Sequence, residues 1–111
     1  MALIALCFPI VPGKKAKWQE MASQFSKEPL KSKMDASRAA AGVHERTYLQ
    51  ETPKGDLVIV TLEGATPFES FGKVLADPAM ADFAKWAADV HGLDPNAPSS
   101  APPKLVYDSK P

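Results

Sequence analysis

The chain opens on a run in which both alternating positions are apolar. Residues 2–8 read Ala-Leu-Ile-Ala-Leu-Cys-Phe. A strand with two apolar faces is covered on both sides, so this one is expected at the centre of its sheet. Pro9, Pro12 and Gly13 end it. The period then changes: Trp18, Met21, Ala22 and Phe25 fall at i, i+3, i+4 and i+7, one face of an amphipathic helix. Pro29 interrupts that pattern, either as a kink or in the first turn of a new helix. Leu30, Met34, Ser37 and Ala41 resume the helical spacing, and Gly42 stands where a left-handed cap belongs.

Residues 43–51 alternate strictly. Val43, Glu45, Thr47 and Leu49 share one side, and His44, Arg46, Tyr48 and Gln50 the other. Pro53-Lys54-Gly55-Asp56 is a turn cluster, and residues 57–62 are again apolar on both faces, which predicts an antiparallel hairpin. Thr66-Pro67-Phe68-Glu69 combines a capping threonine, a proline at the first helical position and a glutamate at the third, a capping box. Phe68, Phe71 and Leu75 form its apolar stripe. Asp77-Pro78 restarts a second helix with the stripe Ala79, Phe83, Trp86, Ala87 and Val90, which ends at His91-Gly92. Residues 94–103 form a loop rich in proline and serine, residues 104–108 read as a last short strand, and 109–111 as a frayed tail.

The order strand, helix, strand, strand, helix, strand predicts an α+β fold. It is the ferredoxin-like βαββαβ arrangement, a four-stranded antiparallel sheet with its helices on one face, in a single domain spanning residues 1–111. Strands one and three are apolar on both faces, so one copy would expose a contiguous apolar sheet, which lone soluble domains rarely do. The expectation is a homodimer packed sheet to sheet around a two-fold axis, closing into an α+β barrel with a cavity.

The chain resembles the dimeric α+β barrel superfamily, which includes antibiotic-biosynthesis-type monooxygenases, stress-responsive barrel proteins and haem-degrading monooxygenases. The resemblance rests on element order, on the hairpin of residues 42–50 and 52–60, and on the helix end Phe83, Trp86, His91-Gly92, which look like those of small uncharacterised bacterial members. It implies the dimeric barrel, and a small molecule held inside it.

Composition narrows the chemistry. The 111 residues carry 13 basic and 13 acidic side chains, and zero net charge argues against nucleic acid or a membrane surface as partner. The balance conceals an asymmetry: residues 1–50 hold eight Lys/Arg against four Asp/Glu, and residues 51–111 hold five against nine. This reads as differently solvated faces or as complementarity between two subunits. The single cysteine, Cys7, excludes an internal disulfide and reads as an inert buried hydrophobe. The apolar start lacks preceding basic residues and is too short to cross a bilayer, so the chain reads as cytoplasmic, with no membrane partner. The glycines are too scattered for a phosphate cradle, and no spaced ligand cluster points to a metal or other cofactor.

The candidate site is the polar face of residues 43–51. His44 can move protons near neutral pH, Arg46 can pair with a carboxylate or enolate, and Tyr48 can donate a hydrogen bond, with Gln50 as a further ligand contact. This face lines the barrel interior if Val43, Thr47 and Leu49 pack under the helices. A one-residue shift would instead bring in Glu45, the reserve acid or base. Trp86 could edge a pocket. His91 either stabilises its helix end or, as haem-degrading members of the superfamily imply, ligates haem. Trp18 reads as core and Arg38 as solvated. Three functions follow as expectations: a cofactor-independent monooxygenase acting on a small aromatic or acidic molecule, a non-catalytic small-ligand-binding or regulatory dimer, and a haem-binding protein.

Overall fold

The computed structural model describes residues 2–93 and 103–110. In chain order these form β1 (Ala2–Pro9), α1 (Lys15–Ala22), α2 (Leu30–Ala41), β2 (Val43–Thr52), β3 (Gly55–Gly64), α3 (Pro67–Ala76) and α4 (Ala81–His91). The fold is α+β: an antiparallel three-stranded sheet in the order β1-β3-β2, with four helices. The loop expected over residues 94–103 lies, apart from Pro103, outside the described residues.

Two strand expectations are corrected. The centre of the sheet is β3, not β1, which has a sheet neighbour on one side only among the described residues. The strand expected over residues 104–108 is not formed, and Leu105, Val106 and Tyr107 are 79%, 91% and 79% exposed. The corrections have one cause. A fourth strand paired with the outer edge of β1 would make β1 central, and residues 104–108, the segment expected there, make no sheet pairing.

Pleating sorts each strand into two rows. Ile4, Leu6 and Phe8 of β1 and Val58, Val60 and Leu62 of β3 pack into the core with Val43 and Leu49 of β2. The pairings Cys7 with Ile59 and Tyr48 with Ile59 set the opposite row: Leu3, Ala5 and Cys7, then Leu57, Ile59, Thr61 and Glu63, then His44, Arg46, Tyr48 and Gln50. Cys7 is therefore exposed on the open face of the sheet rather than buried.

Pro29 divides two helices, standing immediately before α2. Gly42 ends α2 in the left-handed region at φ 74°, a conformation glycine adopts without strain. Gly64, at the end of β3, lies against the Gly42 carbonyl so closely that a Cβ would come under the 3.0 Å that such atoms keep. The Ser70 hydroxyl, buried in α3, donates to the Ala41 carbonyl at 2.7 Å and fastens α3 to the last turn of α2. The expected capping box is not formed, and α3 starts on its first helical backbone bond alone. The Thr66 carbonyl accepts from Ser70 N at 2.9 Å, while its side chain makes no cap. At Asp77 the side chain does cap, accepting from Ala79 N at 2.9 Å and starting the 3-10 turn Pro78–Met80 that leads into α4.

The charge asymmetry is used within the chain. Lys14 and Lys17 pair with Asp89 of α4 at 3.2 and 2.5 Å, and Lys15 reaches Glu51 at 2.6 Å and Asp56 at 3.6 Å. The basic first half thus clamps onto the acidic second half. Each contact lies at the surface and is weak on its own, and together they tie α1 to both α4 and the β2–β3 hairpin.

Candidate functional site

An apolar pocket lies between the helix-facing side of the sheet and helices α1 to α4, with a cavity volume of about 70 Å³. Aromatic rings form one continuous arc beside it. Phe83 and Trp86, neighbours on one side of α4, have centroids 5.3 Å apart, and Phe25 sits 6.0 Å from both. The arc runs on from Trp86 to His91 at 6.4 Å, to Phe8 at 5.4 Å and to Phe71 at 6.1 Å. Such tilted and edge-on contacts are the favoured arrangements for rings, and they fix the pocket wall.

Arg38 of α2 projects into this apolar setting. It is 8% exposed. Its Nε donates to Glu45 Oε1 at 3.0 Å, and its guanidinium carbon stands 5.3 Å from the Phe83 ring centre. Glu45 Oε2 accepts in turn from the Thr47 hydroxyl at 2.9 Å. A buried cation is tolerable only when paired and hydrogen-bonded, and this one is paired incompletely. Arg38 Nη1 is buried without a partner, and so is Trp86 Nε1.

The sequence hint to Arg38 is its spacing. It stands four residues after Met34 and three before Ala41, on the border of the α2 stripe, with Glu45 seven residues on. Its burial is decided by the fold: β2 turns Glu45 towards the helices, which supplies the countercharge. The expectation of a solvated Arg38 is thereby corrected.

His91, the last residue of α4, is buried, and its Nδ1 lies 2.9 Å from the Pro9 carbonyl. A carbonyl only accepts, so Nδ1 carries the proton and Nε2 is the basic atom of the neutral ring. Burial pushes the imidazole below its ordinary pKa of 6.5, and the Pro9 hydrogen bond opposes that only in part. At neutral pH the ring is mostly uncharged, so it acts as a potential base more than as a cation at the helix end.

Of the residues singled out from sequence, Glu45, Trp86 and His91 line this pocket. His44, Arg46, Tyr48 and Gln50 share the other face of β2, where Arg46 lies 3.7 Å from Glu63. Val43 and Leu49 pack under the helices as the condition requires, while Thr47, on the same side of β2, is exposed at the pocket rim. The predicted polar set therefore points away from the helix-side pocket. A second, open groove of about 650 Å³ adjoins the first and is lined in part by His44, Met34 and Asp35. Trp18, Phe25, Arg38, Glu45 and Thr47 border both, so the Arg38–Glu45 pair stands at the neck between groove and pocket.

No family model matches the chain, and no curated protein is found to be similar to it. The site is therefore read from its own chemistry. Among the described residues no cluster of three or more His, Cys, Asp or Glu could hold a metal ion, and no helix is long and apolar enough to cross a membrane. The enclosed pocket beside His91, about 70 Å³, is well below the roughly 300 Å³ at which pockets for drug-sized ligands begin, so by itself it does not enclose a group the size of haem.

The ion pair should behave as a buried one. Glu45→Ala strands the guanidinium and is expected to cost about 3–5 kcal/mol in urea unfolding, while Arg38→Met with Glu45→Leu should be far closer to wild type. Additive losses in the double variant would contradict this. For His91 the sign is fixed by its lowered pKa. The unfolded chain takes up a proton near pH 6.5 and the fold only at lower pH, so stability is whole above 6.5 and falls as pH drops from there through the folded pKa. An NMR titration should put the His91 midpoint below 6.5, and His91→Gln should flatten the stability profile in that window. A midpoint at or above 6.5 would contradict the assignment.

Proposed function

We propose that this chain binds a small aromatic molecule between its sheet and helices and oxidises it without a cofactor. The observation that carries the reading is the conjunction, in one aromatic-walled pocket, of a neutral buried histidine and an ion-paired carboxylate. The resemblance to antibiotic-biosynthesis-type monooxygenases supports the same reaction class. His91 Nε2 takes the proton of a phenolic hydroxyl. The phenolate is electron-rich enough to react with dioxygen, the co-substrate. For a single-ring quinol, one oxygen atom of dioxygen enters the ring and the other leaves as water. The quinol becomes a hydroxyquinone, losing four electrons to the oxygen.

The test is oxygen uptake with a panel of dihydroxybenzenes. Uptake above the protein-free rate, reduced at least tenfold by His91→Gln, is the expected result. Binding without uptake would leave a non-catalytic small-ligand protein in its place.

We also propose that a second copy covers the open face of the sheet. Leu3, Ala5, Cys7, Leu57, Ile59 and Tyr48 lie on that face, with Leu3 61% and Tyr48 53% exposed. The free outer edge of β1 offers residues 104–108 a place as a fourth strand, completing a ferredoxin-like sheet. Cys7 reports on this directly. In a dimer its thiol should react with a disulfide reagent at least tenfold more slowly than after urea unfolding, with a sedimentation mass about twice 11.9 kDa. A fast-reacting thiol and a mass near 11.9 kDa would exclude the dimer.

A further inference from the structure

The pocket's hydrogen-bonding groups are unbalanced, and the imbalance specifies what it takes. Glu45 spends one oxygen on Arg38 and the other on Thr47. His91 spends Nδ1 on Pro9. What remains buried and without a partner is two donors, Arg38 Nη1 and Trp86 Nε1, on residues that are each 8% exposed and line the same pocket. An unsatisfied buried donor is costly, more so when charged, and a site that leaves two of them beside an aromatic wall is incomplete without an acceptor. The cavity of about 70 Å³ is about half the volume that holds benzene in an engineered apolar cavity. One ring fits if it extends through the neck into the groove, which borders the pocket at Arg38 itself.

We propose that the ligand is a single-ring aryl carbonyl compound, acid or ketone, whose acceptor oxygen takes the hydrogen bonds of Arg38 Nη1 and Trp86 Nε1 while its ring lies among Phe25, Phe83 and Trp86. This rests on the reading of the pocket as the ligand site and adds a carbonyl acceptor to the phenolic ring of the proposed reaction; probe compounds without the hydroxyl report binding alone. The donors demand an acceptor, the arginine is permanently charged and presents a planar fork, and the wall selects for a flat apolar body. The Glu45 carboxylate stays on Nε, so an acid would share Arg38 with it through a different N–H, whereas a ketone would add no charge to an already neutral pair.

Calorimetric titration of the full chain with benzoate, acetophenone and ethylbenzene tests this. The ethyl compound matches the ketone in shape and lacks the acceptor. At least one of the two acceptor compounds should bind about tenfold or more tightly than ethylbenzene and should shift the Trp86 indole N–H signal in the NMR spectrum. Trp86→Phe removes one donor and keeps an aromatic ring. Arg38→Lys keeps a cation for Glu45 and removes the fork. Each should lower the affinity of the preferred compound about tenfold, a clearly larger factor than its effect on ethylbenzene, with circular dichroism showing the fold retained. Equal binding of all three compounds, or affinity untouched in Trp86→Phe, would overturn the acceptor class while leaving the pocket as a ligand site. Binding of none would overturn the pocket reading as well.

Discussion

Gly64 packs against the Gly42 carbonyl with no room for a side chain between them. That approach sets the end of α2, the start of β2 and the end of β3 at one point, with Val43 paired to Gly64. Side chains in a strand alternate, so pinning one residue fixes the direction of all those that follow. With Val43 buried, Glu45 and Thr47 face the helices, and His44, Arg46 and Tyr48 face away. A slip of one residue would exchange the two sets, leave Arg38 without its carboxylate and place Arg46 under the helices. The whole arrangement of the pocket depends on this contact between two glycines.

Arg38 shows how the site is held. Its charge is buried at the neck between an open groove and an apolar cavity, which is tolerable because Glu45 arrives from β2, and Thr47 braces Glu45. On the far wall, Phe25, Phe83 and Trp86 are locked ring against ring, and Trp86 continues to His91 and Phe8. His91 is fastened by Pro9 at the end of β1. The basic and braced groups of the pocket thus come from α2, β2 and α4, which meet where the sheet register and the packing of the helices on the sheet bring them.

Much of the frame was legible in the sequence because it rests on local rules. The two both-faces-apolar runs became β1 and β3, the alternating segment became β2, and Gly42 and Gly92 took the left-handed caps. What was not legible depended on partners distant in the chain. The pattern of β1 says that both its faces are apolar, but not that the helices take only one of them and leave the other open in this chain. The stripe of α2 puts Arg38 on a border, and only the countercharge of Glu45 draws it inside. The strand of residues 43–51 displays its polar face as the conspicuous candidate, whereas the acid that meets the buried Arg38 is on its less conspicuous side, between Val43 and Thr47. Trp86 and His91 stood out as an aromatic and a titratable group. That they share one wall follows from the path of α4 over the sheet.

The central claim is that ligand chemistry belongs to the helix-side pocket and not to the open face of the sheet. The most direct test is a crystal structure of the protein soaked with single-ring aromatic fragments. The account predicts fragment density between α4 and β2, with an acceptor oxygen within hydrogen-bond distance of Arg38 and Trp86. Density confined to the open face, against His44, Arg46 and Tyr48, with the helix-side pocket unchanged, would contradict it.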